Sequence, residues 1–147
     1  MKRLVLMLLF VALVTSCYSQ QPQVEIAGSA KNFLELYNTG DIAAAKYVNF
    51  NGIYLVDLAM TEEIAKSEFS EMLAEAKGNE TPSVEVTEIR LVDDGREVGL
   101  RESDRIAYVY CKVNGTTEVL LFYQVDGKWK IDITFTWLND WFDGRID

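Results

Sequence analysis

The chain opens with two cations, Lys2 and Arg3, and is then apolar from Leu4 to Val14. A membrane-crossing helix needs about 20 apolar residues. A shorter run with a charged start and small residues behind it predicts a cleaved signal peptide instead, residues 1–16. Residues 17–25 are mostly polar and predict a tether, so that a single domain spans 26–147. Within it, Ala30, Phe33, Leu34 and Tyr37 follow the i, i+3, i+4, i+7 spacing of an amphipathic helix. Ser29 is its expected cap and Asn38-Thr39-Gly40 its stop. Asp41 caps a second, short helix from Ile42 to Val48. Asn51-Gly52 marks a turn, and Ile53 to Met60 suits strand and helix equally. A third helix starts near Thr61, with Glu62 and Glu63 at its positive end and Ala65, Phe69, Met72, Leu73 and Ala76 as its buried stripe. Lys77-Gly78 ends it.

From Ser83 the period changes to two. Val84-Glu85-Val86 alternates, and Ile89 and Leu91 then appear on the opposite parity, which predicts a bulge near Thr87-Glu88. After a polar connection from Asp94 to Glu102, three strands follow, about Arg105–Val113, Thr117–Val125 and Lys128–Trp137. Asn114-Gly115 and Asp126-Gly127 join them as two-residue hairpin loops. These loops set the pairing: Val113 with Thr116, Val109 with Leu120, Tyr108 with Leu121, Phe122 with Ile131 and Leu121 with Asp132. One face then collects Ala107, Val109, Cys111, Leu120, Phe122, Trp129, Ile131, Ile133 and Phe135, the expected core beneath the helices. The other collects Tyr108, Tyr110, Val119, Leu121, Tyr123, Lys130, Asp132 and Thr134, a mixture that suits either a solvated face or a contact surface. The fold class is α+β, with N-terminal helices packed on a curved antiparallel sheet.

Composition narrows the chemistry. The 147 residues carry a formal charge of −9, about −11 once Lys2 and Arg3 are removed. Such a surface repels phosphate backbones, which argues against nucleic-acid binding. The chain has no histidine, which excludes Ser-His-Asp and Cys-His catalysis and histidine metal sites. Its two cysteines are Cys17, at the end of the signal peptide, and Cys111. A thiolate zinc site within the mature chain is excluded too, and neither metal nor cofactor is expected.

Leu13-Val14-Thr15-Ser16-Cys17 resembles the bacterial lipobox, an aliphatic residue and two small ones before an obligatory cysteine. The resemblance implies lipidation of Cys17, cleavage just before it, and a lipid-anchored place in a bacterial cell envelope, on the outer membrane facing the periplasm. More than one acyl chain gives stable anchoring. Val14 and Ser16 also suit the ordinary signal peptidase, so a plain secretory signal is the alternative.

Three helices, a chain reversal at Asn38-Thr39-Gly40-Asp41 and a meander ending Tyr123-Gln124-Val125-Asp126-Gly127-Lys128-Trp129-Lys130-Ile131-Asp132 resemble small lipoproteins of the NTF2-like superfamily, of a kind seen in Bacteroidetes-type bacteria. The likeness covers about Ile26 to Phe135 and implies an NTF2-like, cystatin-like cone, often with a pocket at its open end. Relatives include isomerases, dehydratases and hydrolases with a pocket carboxylate, alongside members that only bind or scaffold. Relatives also often dimerise through the outer face of the sheet, which would place Tyr108 and Tyr110 at an interface centre, with Leu121 in the row of Tyr108 and Asp132 at its edge.

No residue set here matches a catalytic set of those enzymes, and fold analogy alone does not give function. The expectation is therefore a domain that binds a small apolar ligand or another envelope protein, with a carboxylate-base enzyme as the alternative. Glu118, opposite Cys111 on the core face, suits a general base in an apolar pocket, or a strand-start acid that reaches water. Asp57 is the one polar residue in Leu55-Val56-Asp57-Leu58 and suits a turn cap or a pocket acid. Tyr37, Tyr54 and Cys111 are the candidate ligand contacts, each equally at home in a core.

Overall fold

A computed structural model describes residues 22–55, 58–98, 100 and 105–137. It is an α+β fold in which two helices cover one face of an open five-stranded mixed sheet. Helix α1 spans residues 22–38, so the helix already includes the last part of the expected tether, and Ser29 lies inside it rather than capping it. Pro22 in the first turn explains the early start, because its missing N–H is an orphan there anyway. Ile26, fully buried, extends the stripe of Ala30, Phe33 and Leu34 by one turn. At the other end Asp41 N reaches back to Leu36 O at 2.9 Å and Gly40 adopts φ +71°, a left-handed helix stop. A Cβ on Gly40 would lie 2.3 Å from Leu73 O, so this glycine also lets α1 meet the end of α2, Glu62–Ala76.

The short second helix is a 3-10 turn, Ile42–Tyr47, with Asp41 accepting from Ala43 N at its start. Val48, expected as its last residue, instead opens a two-residue strand β1, Val48–Asn49. Thr61 caps α2, whose Ala65, Phe69 and Leu73 are buried as expected while Met72 and Ala76 are half-buried.

Strands β2 (Val84–Val92), β3 (Ile106–Val113), β4 (Thr116–Val125) and β5 (Lys128–Asp132) form the expected meander in the expected register. The register slips between Val86 and Glu88, where the bulge was placed. Asn114, Gly115, Asp126 and Gly127 all have positive φ, the geometry that matches a tight hairpin to strand twist.

Two expectations about the sheet are corrected. It is mixed, not antiparallel: β1 pairs parallel with β5, Val48 beside Ile131, and the strand order is β1-β5-β4-β3-β2. The last strand stops at Asp132, and residues 133–137 form a helical turn. Asp132 causes that turn. Its Oδ1 accepts from the backbone N–H of Thr134 at 3.0 Å and of Phe135 at 3.4 Å, the bonding of a helix cap. Phe135, expected on the core face, is thereby carried to the opposite side of the sheet.

The main core joins Ile26, Phe33, Leu34, Phe69 and Leu73 of the helices to Val109, Cys111, Leu120, Phe122, Trp129 and Ile131 of the sheet. A second cluster lies on the other face. Val98, Ile106, Leu121 and Tyr123 are buried there beneath Ile53, Tyr54, Leu100 and Phe135. Among the described residues no helix is long and apolar enough to cross a membrane.

Candidate functional site

The chemistry-bearing residues gather where β5 ends. Asp132 and Thr134 are completely buried, two polar side chains inside the described fold. Strand β5 delivers Asp132 to the face away from the helices, and the turn at 52–54 closes over it. Its Oδ2 accepts from Ile53 N at 2.7 Å, and its Oδ1 also accepts from the Thr134 hydroxyl. Thr134 Oγ1 in turn accepts from Tyr54 N at 3.1 Å. Gly52 is required at this contact: a Cβ there would lie 2.5 Å from Thr134 Oγ1 and 2.6 Å from Asp132 Oδ1. Side chains from one strand end thus hold two consecutive residues of a loop about 80 positions earlier.

Tyr123 on β4 flanks this clasp. Its hydroxyl accepts from Asn49 Nδ2 and donates to Asn51 O at 3.1 Å, so that it fastens the same loop from its other end. Electrostatics follow from the burial. Loss of water pushes the Asp132 carboxyl above its ordinary range, against the four hydrogen bonds that favour the anion. Burial, then the nearby Asp132 charge, pushes the Tyr123 hydroxyl up, and only the Asn49 contact opposes this. Burying a carboxylate is tolerable here because each oxygen has donors.

The singled-out residues that are described do not all converge. Tyr37 is in the main core, stacked on Phe33 at 5.3 Å and Phe69 at 5.6 Å, with its hydroxyl donating to the Met72 sulfur. Cys111 is in the same core, its thiol pushed up to about 11 by burial and by Glu118. Glu118 stands directly opposite it in the β3–β4 ladder and is half-buried. Tyr54 lies across the sheet from both, 6.1 Å from the Phe135 ring. Asp57 and Cys17 lie outside the described residues.

The outer-face row is also revised. Leu121 and Asp132 are fully buried within the chain, under the 52–54 turn and the 133–137 turn, and have no surface to offer a partner. Tyr108 and Tyr110 are half-buried. Tyr108 packs edge-on to Phe135 at 6.0 Å, with the Arg90 guanidinium 4.7 Å above its ring.

Sequence reasoning missed the clasp, although a signal for it existed: Asp132 stands between Ile131 and Ile133, and Asn51-Gly52 offered more than a turn. No group of three or more metal-binding side chains occurs among the described residues. Comparison with known proteins gives no significant match to a family model, a curated protein or a solved structure.

Proposed function

We propose that this chain is a lipid-anchored protein of a bacterial envelope whose domain, an NTF2-like cone in its family resemblance, binds a small apolar ligand or a neighbouring envelope protein without catalysing a reaction. Anchoring is supported by the apolar run that ends in Val14-Thr15-Ser16-Cys17. The observation that carries the non-catalytic reading is the use made of Asp132. Its four hydrogen bonds all come from the chain itself, and they hold the 52–54 turn and the 133–137 turn in place. A general base needs a lone pair directed at a substrate proton; this carboxylate is fully buried and bonded to the fold through both oxygens. Glu118 stands opposite the buried Cys111 in the β3–β4 ladder.

Two measurements test the reading. Cys17→Ser should release the protein from membranes and abolish incorporation of labelled fatty acid; a variant that stays membrane-bound overturns the anchor. Protein purified from its native membrane should carry a co-purifying apolar molecule or protein under gentle mass spectrometry. Turnover that is abolished by Glu118→Gln or Asp57→Asn, with the fold retained, overturns the non-catalytic assignment.

A further inference from the structure

Among the described residues strand β2 ends the sheet, and its outer side has no strand beside it. Its core-facing side chains Val84, Val86, Ile89 and Leu91 pack on the main core yet stay half-buried, whereas Val109 and Cys111 on the next strand are fully buried. Alongside the bulge runs a groove of about 380 Å³, lined by Val86, Thr87, Glu88 and Ile89 and by Gln23, Val24 and Ala27 of α1. Val24 is 72% exposed, the most exposed of the large apolar side chains among the described residues.

An edge strand is usually blunted by charges and bulges. Here those same features are self-complementary. Opposite charges flank the bulge symmetrically, Glu85 before it and Arg90 after it. When this strand is laid antiparallel on a copy of itself about Thr87 and Glu88, Glu85 meets Arg90, Val86 meets Ile89 and Val84 meets Leu91, each pair twice. The faces agree as well. The four apolar residues all lie on the helix side, while Glu85 and Arg90 pair with Lys112 and Tyr108 on the other. Because each strand carries the bulge at the centre, the parity change on one is matched on its partner, so no side chain is forced to the wrong face.

We propose that β2 pairs antiparallel with β2 of a second copy of this chain, joining two five-stranded sheets about a two-fold axis at Thr87–Glu88. The symmetry makes the contact isologous and closed. Each Arg90 lies between the ring of its own Tyr108 and the partner's Glu85, and each Glu85 lies between Lys112 and the partner's Arg90. The two grooves and both Val24 side chains come together beside the axis, covering apolar surface that one copy leaves in water. This surface is independent of the ligand-binding reading and of Cys17.

A charge exchange tests it. The full chain in mild detergent is followed by sedimentation over a concentration series, with circular dichroism to confirm the fold. The wild type should dimerise. Glu85→Arg and Arg90→Glu each set like charges opposite one another at two symmetric places, and each should weaken the dimer by about tenfold or more. The double variant E85R/R90E restores opposite charges and should restore the dimer. An equimolar mixture of the two single variants should form heterodimers, because every cross-strand pair is then Arg with Glu. A wild type that stays monomeric at all concentrations shows that the edge is simply blunted and overturns the proposal. So does a dimer indifferent to these changes, which would be held elsewhere.

Discussion

Replacing Asp132 by Asn tests the clasp, because the amide keeps the size of the carboxyl and removes one acceptor. The side chain can still present its oxygen to Thr134 and Phe135, where three donors converge. Its NH2 then faces Ile53 N, where a 2.7 Å bond stood. A buried amide hydrogen left without an acceptor costs about 1–3 kcal/mol. For a domain of this size that is a fall of about 4–15 °C in Tm.

The variant also removes a titrating group, so the cost depends on pH, and the sign can be worked out. The native carboxyl titrates above its ordinary value of 3.8, since burial outweighs its hydrogen bonds. Its protonated form therefore favours the folded state. That contribution is complete below 3.8 and is lost as pH rises through the raised native value. Asn does not titrate. The stability gap between wild type and Asp132→Asn should accordingly be widest at acid pH and narrow toward neutrality. Urea unfolding of both proteins at low concentration from about pH 3.5 to 8 measures this, the difference cancelling the other acids. A gap that widens with pH would show that the hydrogen bonds outweigh burial and that the anion is the stabilised form. A gap below about 0.5 kcal/mol at every pH would refute the clasp itself.

Three further outcomes follow from the same geometry. Thr134→Val keeps the shape but leaves Tyr54 N without its acceptor and takes one of four donors from Asp132; unfolding should show a loss of about 1–3 kcal/mol and a wild-type-minus-variant gap that widens as pH rises, since the carboxyl loses a bond that favours its anion. Gly52→Ala puts a methyl 2.5 Å from Thr134 Oγ1 and should cost about 1–3 kcal/mol, read as a lower urea midpoint together with faster amide exchange in the 52–55 turn. With its thiol near 11, Cys111 is about one-thousandth thiolate at pH 8, so it should resist maleimide in the folded protein and react readily in urea; rapid native labelling would show that the core opens there.

The sequence made some parts of this fold legible because their determinants are local. Asn114-Gly115 and Asp126-Gly127 carry their own backbone preference, and two-residue loops leave one register for each hairpin. The parity change between Val86 and Ile89 marked the bulge for the same reason. What escaped was set by residues far apart in the chain. Strand β1 is two residues long, too short for a period, and exists because β5 offers it a parallel edge. The clasp joins Ile53 and Tyr54 to partners 79 and 80 positions away.

Alternation placed Asp132, Leu121 and Tyr123 on the face away from the helices, and they are on it. It had no means of saying whether that face is wet. A period of two reports direction only; burial depends on what else lies over the sheet, here an irregular loop and a single helical turn that no periodicity announces. The usable signal was chemical. An acid set between Ile131 and Ile133, in a row with Leu121, costs too much in an apolar surrounding unless donors come to it. A buried carboxylate therefore demands hydrogen-bond donors from elsewhere in the chain. The nearest unassigned source was the stretch after Asn51-Gly52, whose glycine allows backbone to approach a crowded side chain. Matching an acid that needs donors to a loop with N–H groups to spare would have drawn the 52–54 turn onto β5, and with it the end of the last strand at Asp132.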